Sequence, residues 1–342
     1  MQKINVKEKT DFLKAAISDP LCFSLLGKRV KPSNGESFCF ERCFQQDNPA
    51  FLKDHQIYQT VLMPATAYLS IAFSAGITAL GTQKLLLENV VVYQALPLFT
   101  SDDSKILRTA LKPAGKSAYT FEISSENSDP QKAALWRLHA SGTVRIRSVS
   151  MYSHLIELSN LSSFGTALDL PFPYKPIRRS PSKDGLCVHQ FYQEMQSRGF
   201  FYGPQFQLIT RIWNRKSGVL GEVFRPDHSA PACELQPVHP VLLDACLQLL
   251  GTQLPATKAQ DVYLPVGLDS MDLFEPLTPR LLVELRQMYY RDVKHSCLSA
   301  DINLITPDGK LVAQIEGISF RKVSRRVLEW SLKKMRKQAS SE

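Results

Sequence analysis

"PATAYLSIAFSAGITAL", residues 64–80, is apolar or small at nearly every position. A helix written this way has no polar face to offer water, so it must be buried all round. Pro64 suits a helix's first turn, and Gly76 and Gly81 are expected to mark its end. A buried helix of this kind needs a sheet wrapped about it. Strand-like runs follow: "KLLLENVVVYQALPL", "KILRTALKPA", "SAYTFEISSE" and "ALWRLHASGTVRI". The order of elements then repeats. Pro240 opens "PVLLDACLQLLGTQL", and "YLPVGLDSMDLFEPL", "RLLVELRQMYY", "SCLSADINLITPDGK" and "LVAQIEGISFRKV" come after it. These runs are rich in Val, Ile, Leu and Tyr and are closed by turn signals such as Pro307-Asp308-Gly309, which favours antiparallel strands.

The expected fold class is α+β: a sheet curled round a central helix, a hotdog arrangement, present twice. Two copies in one chain would pack as a pseudo-dimer with a shared cleft where the helix N-termini meet the other half. Residues 159–185 hold Pro171, Pro173, Pro176 and Pro181 among small polar residues, which excludes a helix or central strand and reads as a linker. The expected organisation is a polar leader over 1–18, a first hotdog over 19–158, the linker over 159–185, a second hotdog over 186–325 and a basic tail over 326–342.

Composition narrows the function. Of 342 residues, 44% are hydrophobic and 21% charged, as in ordinary globular proteins. No apolar run reaches the ~18 residues that span a bilayer, and the N-terminus lacks the apolar core of a secretion signal. The seven cysteines are Cys22, Cys39, Cys43, Cys187, Cys233, Cys246 and Cys297, an odd and scattered set without a CxxC pair. Reduced thiols and a cytoplasmic location are the simpler reading. The net charge is +9, but residues 321–342 carry eight Lys/Arg against two Glu, so +6 of it lies in the tail. A nucleic-acid partner would call for charge spread over a folded face, so neither nucleic acid nor membrane is expected as a partner.

Polar groups that interrupt apolar stretches are the candidates for chemistry. Asp244 lies four residues after Pro240 in a helix so apolar that a carboxylate is costly unless used or paired. Burial would raise its pKa and the helix N-terminus would lower it. Gln248, one turn on, shares its face. His55 precedes the first helix by nine residues and is the side-chain type most suited to proton abstraction near neutral pH. In "RGFFYGPQFQLI", residues 198–209, Gly199 and Gly203-Pro204 permit a tight backbone path close to a ligand, and Tyr202 offers a hydroxyl. Each alone has a bland alternative: a loop histidine, a charge favoured by the helix dipole, a core tyrosine.

Together they form a spaced pattern. His55 to Pro64 matches HxxxGxxxxP with one change, "GFFYGPQF" matches GYxYGPxF with Phe200 for the first Tyr, and "HPVLLDACLQ" matches HPxLLDxxxQ. With "LLG" at 25–27, "FLKDH" and "YLPVG" at 263–267, the chain resembles the dehydratase domains of modular polyketide synthases over roughly residues 18–323. The resemblance implies a double hotdog that removes water from a 3-hydroxyacyl thioester, held on the phosphopantetheine arm of an acyl carrier protein, to give a 2-enoyl thioester. It implies His55 as base at C2 and Asp244 as acid at the C3 oxygen. Gln248 and Tyr202 would orient that region, with Gly203, Pro64 and Ala65 at the substrate. Backbone N–H groups at the start of the Pro64 helix would stabilise the thioester oxygen. It implies no bound metal or redox cofactor. The expected partners are an acidic carrier protein, neighbouring synthase domains and a second copy of the chain meeting through the first half.

Two departures bear on this. Gln59 stands where the motif has glycine, and Ala65 where glycine usually follows the proline. Both add volume, and Gln59 would be strained if its φ is positive. An enoyl isomerase or a cyclase on the same scaffold, or a catalytically silent structural double hotdog, are the alternatives. The isomerase-type relatives typically lose the Asp and the motif proline, both present here.

Overall fold

The computed structural model describes residues 25–32, 36–100, 104–126, 136–147, 187–215, 218–226, 236–254, 261–292, 294 and 296–340. The expected leader and linker lie outside these.

In the first half, β1 (Lys28–Val30) and β2 (Phe38–Phe44) precede two three-residue strands, β3 (His55–Ile57) and β4 (Thr60–Leu62). Helix α1 (Ala65–Leu80) follows, then β5 (Leu85–Val92), β6 (Pro97–Leu98), β7 (Lys105–Pro113), β8 (Ala118–Glu126) and β9 (Trp136–Ile146). The second half opens with α2 (Val188–Ser197), β10 (Phe200–Tyr202), β11 (Ile209–Arg215) and β12 (Gly218–Phe224). Helix α3 (Pro240–Gln248) comes next, then β13 (Asp261–Leu273), β14 (Arg280–Tyr290), β15 (Cys297–Ile305), β16 (Leu311–Ser324) and a last helix, α4 (Arg325–Ser340).

Twelve strands form one sheet in the order β1-β2-β7-β8-β9-β5-β13-β16-β15-β14-β12-β11. Six come from each half, and the strand that follows each central helix, β5 or β13, sits at the seam. The seam is antiparallel, with Leu87 opposite Met271 and Leu85 opposite Leu273. Each half thus curls its strands round one buried helix, and the halves join edge to edge, so the chain is a double hotdog. A second, four-stranded sheet runs β10-β3-β4-β6 and mixes strands of both halves.

Every residue of α1 from Thr66 to Ile77 is buried, as its all-apolar sequence requires. The two central helices touch, and Ser70 in mid-helix donates to the carbonyl of Val238 (2.6 Å), the residue two before α3, and also bonds Gln236. Pro64 caps α1 with extended backbone instead of entering its first turn. Gly81, in the left-handed conformation, ends the helix, but Gly76 does not. A Cβ on Gly76 would lie 2.4 Å from Val144 Cγ2 and 3.0 Å from Leu85 Cδ1, so glycine there lets the helix cross β9 and β5 closely.

The basic segment at 326–342 is largely the helix α4. Leu328 and Leu332, one turn apart, are 7% and 6% exposed and join the main core. Arg325 lies over the Tyr58 ring and Arg336 over the Phe99 ring, so α4 runs across the small sheet from the β3–β4 turn to the residue after β6. Among the described residues no helix is long and apolar enough to cross a membrane, and the five described cysteines are free thiols.

Gly76→Ala tests the close crossing. Helix propensity favours alanine by about 1 kcal/mol, but overpacking a filled core costs about 1–3 kcal/mol. Because Val144 is wholly buried and cannot retreat, net destabilisation of about 1 kcal/mol is expected in denaturant titration; a stabilised variant would show that the crossing is loose.

Candidate active site

The small sheet builds one wall of the site. Its strand β10 pairs antiparallel with β3, which sets Tyr202 directly opposite His55. The two ring centroids are 5.9 Å apart, and Phe206 packs 5.1 Å from the imidazole. His55 is 7% exposed, and its Nδ1 lies 2.8 Å from the carbonyl oxygen of Leu62. A carbonyl only accepts, so Nδ1 is the donor, and in the neutral imidazole the lone pair lies on Nε2. The imidazole is therefore held in the tautomer that a base acting through Nε2 requires. Two other buried histidines, His139 and His239, have pKa values lowered by burial to about 4 and about 3, and neither lines the cavity that His55 faces.

The turn between β3 and β4 holds Tyr58 and Gln59 at φ 46° and 61°, with Ile57 and Thr60 paired across it. Two left-handed residues are what a two-residue hairpin turn of this kind demands. Gln59 thus bears the strain that glycine would avoid, about 1–2 kcal/mol, but its side chain is exposed and lies outside the cavity.

Gly199 and Gly203 are close-approach glycines, though not towards a ligand as the sequence suggests. A Cβ on Gly199 would fall 2.2 Å from Tyr58 Cε1, and one on Gly203 2.4 Å from Asp54 Cγ. Gly203 N–H donates to the Asp54 carbonyl (2.7 Å) and Gln205 N–H to Asp54 Oδ2 (2.9 Å). These two glycines let the β10 segment lie against the hairpin that carries His55.

The opposite wall comes from α3. Gln248 Nε2 donates to Asp244 Oδ2 (2.9 Å) and to the Phe206 carbonyl (3.1 Å), and its Oε1 accepts from the Tyr192 hydroxyl (3.3 Å). That hydroxyl in turn accepts from Ile209 N–H (3.2 Å). The amide orientation is set by these partners on both sides. Burial raises the pKa of Asp244; His55 and the Gln248 hydrogen bond oppose that rise without cancelling it. Burial also raises Tyr202 well above the ordinary phenol value, with Asp244 and Tyr192 adding to it, so its hydroxyl remains a donor.

His55, Ala65, Tyr202, Asp244 and Gln248 all line one cavity of about 290 Å³, whose remaining wall is mostly apolar. Pro64 and Gly203 do not line it: Pro64 caps the helix behind Ala65, and Gly203 faces Asp54. Ala65 and Thr66 are the first two residues of α1, so their N–H groups have no intrahelical acceptor and point the helix's positive end at the cavity. Tyr192 is a site residue that sequence reasoning misses. It sits in a polar helix 56 residues from Gln248, and no local pattern marks it.

The double hotdog thus brings a histidine and a carboxyl group from different halves onto one largely apolar cavity. Two family models match the chain, the polyketide synthase dehydratase domain over residues 24–126 and the polyketide synthase dehydratase N-terminal domain over residues 175–329. A phenolphthiocerol/phthiocerol polyketide synthase of Mycobacterium tuberculosis is 26% identical over 339 residues, covering 96% of this chain and 17% of that protein. A highly reducing polyketide synthase of Pyrenophora dematioidea is 25% identical over 311 residues, covering 86% and 11%. This chain therefore spans about a sixth or less of these relatives. Among solved structures, the dehydratase domain from the CurK module of the curacin polyketide synthase superposes with a TM-score of 0.68 at 25% identity, over 88% of this chain and 99% of that one. The CurJ dehydratase domain gives 0.72 at 20% identity, over 90% and 99%, a likeness of fold. The chain belongs to the dehydratase domains of modular polyketide synthases.

Two outcomes check the geometry. A carboxyl whose folded pKa is raised binds more protons folded than unfolded, so stability falls as pH rises from the ordinary carboxylate value towards the raised one. Asp244→Asn lacks that loss; its thermal midpoint is expected to exceed the native one near pH 7–8, by an amount that shrinks on acidification. An equal or lower midpoint at every pH would show that Asp244 is not strained by burial. Gln59→Gly relieves about 1–2 kcal/mol of left-handed strain and loses about 0.4–1 kcal/mol to the freer unfolded chain. A net gain of about 0.5 kcal/mol in unfolding free energy is expected.

Proposed function

We propose that this chain dehydrates a 3-hydroxyacyl thioester, carried on the phosphopantetheine of an acyl carrier protein, to the 2-enoyl thioester during polyketide chain elongation. The observation that carries this reading is the pairing, across one apolar cavity, of a histidine with a free Nε2 and a carboxyl whose pKa is raised. His55 Nε2 takes the C2 proton. Asp244, protonated, gives its proton to the C3 oxygen; the C3–O bond breaks, C2=C3 forms and water leaves. Transfer of the abstracted proton from His55 back to Asp244, directly or through solvent, resets the pair. The acid is needed because hydroxide is a poor leaving group, and burial raises the pKa of Asp244 and so favours its protonated form. As the proton leaves C2, the thioester oxygen gains negative charge, and the N–H groups of Ala65 and Thr66 at the α1 terminus are placed to stabilise it. Gln248, fixed by Phe206 and Tyr192, holds Asp244 through Oδ2 and leaves Oδ1 for the proton. The Tyr202 hydroxyl donates to the same region.

Proton transfer at these two side chains accounts for the elimination, so the reading invokes no metal or redox cofactor. Its partners are the carrier protein, the neighbouring synthase domains and a second copy of the chain meeting through the first half. The silent-scaffold alternative rests on Gln59, and that side chain lies outside the cavity.

The test is mass spectrometry of a 3-hydroxyacyl carrier protein incubated with the native chain, His55→Phe or Asp244→Asn. Loss of one water is expected with the native chain and a loss of rate of about 10²–10⁴-fold in each variant, the contribution typical of a general acid or base. A native chain that moves a double bond or closes a ring instead would point to the isomerase or cyclase.

A further inference from the structure

The last helix carries a surface that the fold does not use. Helix α4 holds six Lys/Arg and one Glu in sixteen residues. Its inner face is spent on the core through Leu328 and Leu332, with Met335 half-buried beside them. By helical periodicity the opposite face presents Arg326, Val327, Trp330, Lys333 and Lys334. Trp330 is 63% exposed and Val327 56%, and the Lys334 ammonium sits over the indole at 5.4 Å. The helix's one carboxylate, Glu329, lies at the flank, where Arg325 holds it at 2.7 Å. The outer face is therefore cationic and centred on an exposed tryptophan, the residue type most enriched at interface hot spots.

Along the chain, this helix directly follows residues of the cavity wall. Arg321 and Val323, near the end of β16, line the cavity wall, and α4 begins two residues later. Arg321 is exposed and makes no ion pair among the described residues. A thioester substrate on a phosphodiester arm brings an anion to the mouth and, behind it, whatever protein the arm is attached to. A helix whose apolar side is already buried in the protein cannot also lie in a bilayer, which favours an acidic protein surface over a lipid one.

We propose that Arg321 and the outer face of α4, centred on Trp330, are the docking surface for the acidic carrier domain that delivers the acyl thioester. This rests on the dehydratase reading above, and the experiment separates the two. The full chain and an Arg326→Glu/Lys333→Glu/Lys334→Glu variant are compared on two substrates, a 3-hydroxybutyryl group on a polyketide synthase carrier domain and the same group on free pantetheine. Binding of the holo carrier domain is measured directly in parallel, at low and high salt. The expected result is about a tenfold rise in Kd and in KM for the carrier-bound substrate, with native binding weakened by salt and kcat/KM for the pantetheine thioester unchanged. Trp330→Ala is expected to weaken carrier binding without changing its salt dependence. An unchanged Kd in the triple variant, or an equal loss on both substrates, would overturn the assignment. So would charge-dependent binding to phosphatidylserine vesicles with the carrier unaffected. Should the native chain dehydrate neither substrate, the dehydratase reading falls, and the Kd comparison still decides the surface.

Discussion

Two helices that cannot face water set the rest of the structure. Helices α1 and α3 are buried over almost their whole length, and each is enclosed by six strands. Because the helices touch, and because β5 and β13 close into one sheet between them, the start of α1 and the second turn of α3 open on one cavity. Neither half holds a complete site. The proposed base, His55, comes from a strand before α1 and the proposed acid, Asp244, from within α3, so their geometry depends on the seam between the halves. Ser70, reaching from α1 to the Val238 carbonyl, pins that seam near the chemistry.

The cavity holds the two groups proposed for proton transfer by different means. An apolar wall disfavours the Asp244 carboxylate and so favours its protonated form. The imidazole, on the opposite wall, is directed by one carbonyl, which takes Nδ1 and leaves Nε2 for the proposed proton abstraction. Gln248, itself held by the Tyr192 hydroxyl, donates to Asp244 and to the carbonyl of Phe206, whose ring also packs on His55. Asp244 and His55 are thus positioned through one shared residue.

Much of this is legible in the sequence, and the parts that are not share a cause. The central helices show because an all-round apolar run has few homes, and the long strands β7 to β9 and β13 to β16 because alternation and turn residues recur over many positions. Strands β3, β4 and β10 have three residues each, too few for any period, yet they hold His55 and Tyr202. Gly76, Gly199 and Gly203 are recognisable as special positions, but what approaches them is a tertiary fact: Val144, Tyr58 and Asp54. The basic tail reads as a solvated segment because its charge dominates its composition. Leu328 and Leu332, at helical spacing, are the signal that it also packs. Tyr192 carries no signal, since its role exists only through Gln248.

The most direct test of the account is a site-resolved titration of the Asp244 carboxyl by ¹³C NMR, assigned by its absence in Asp244→Asn. A midpoint clearly above the ordinary aspartate value of about 3.9, moving further up when His55 is replaced by Phe, is the predicted result, since His55 opposes the rise. A midpoint at or below the ordinary value would mean that the cavity holds a carboxylate near neutral pH, and Asp244 could not then be the acid that releases water.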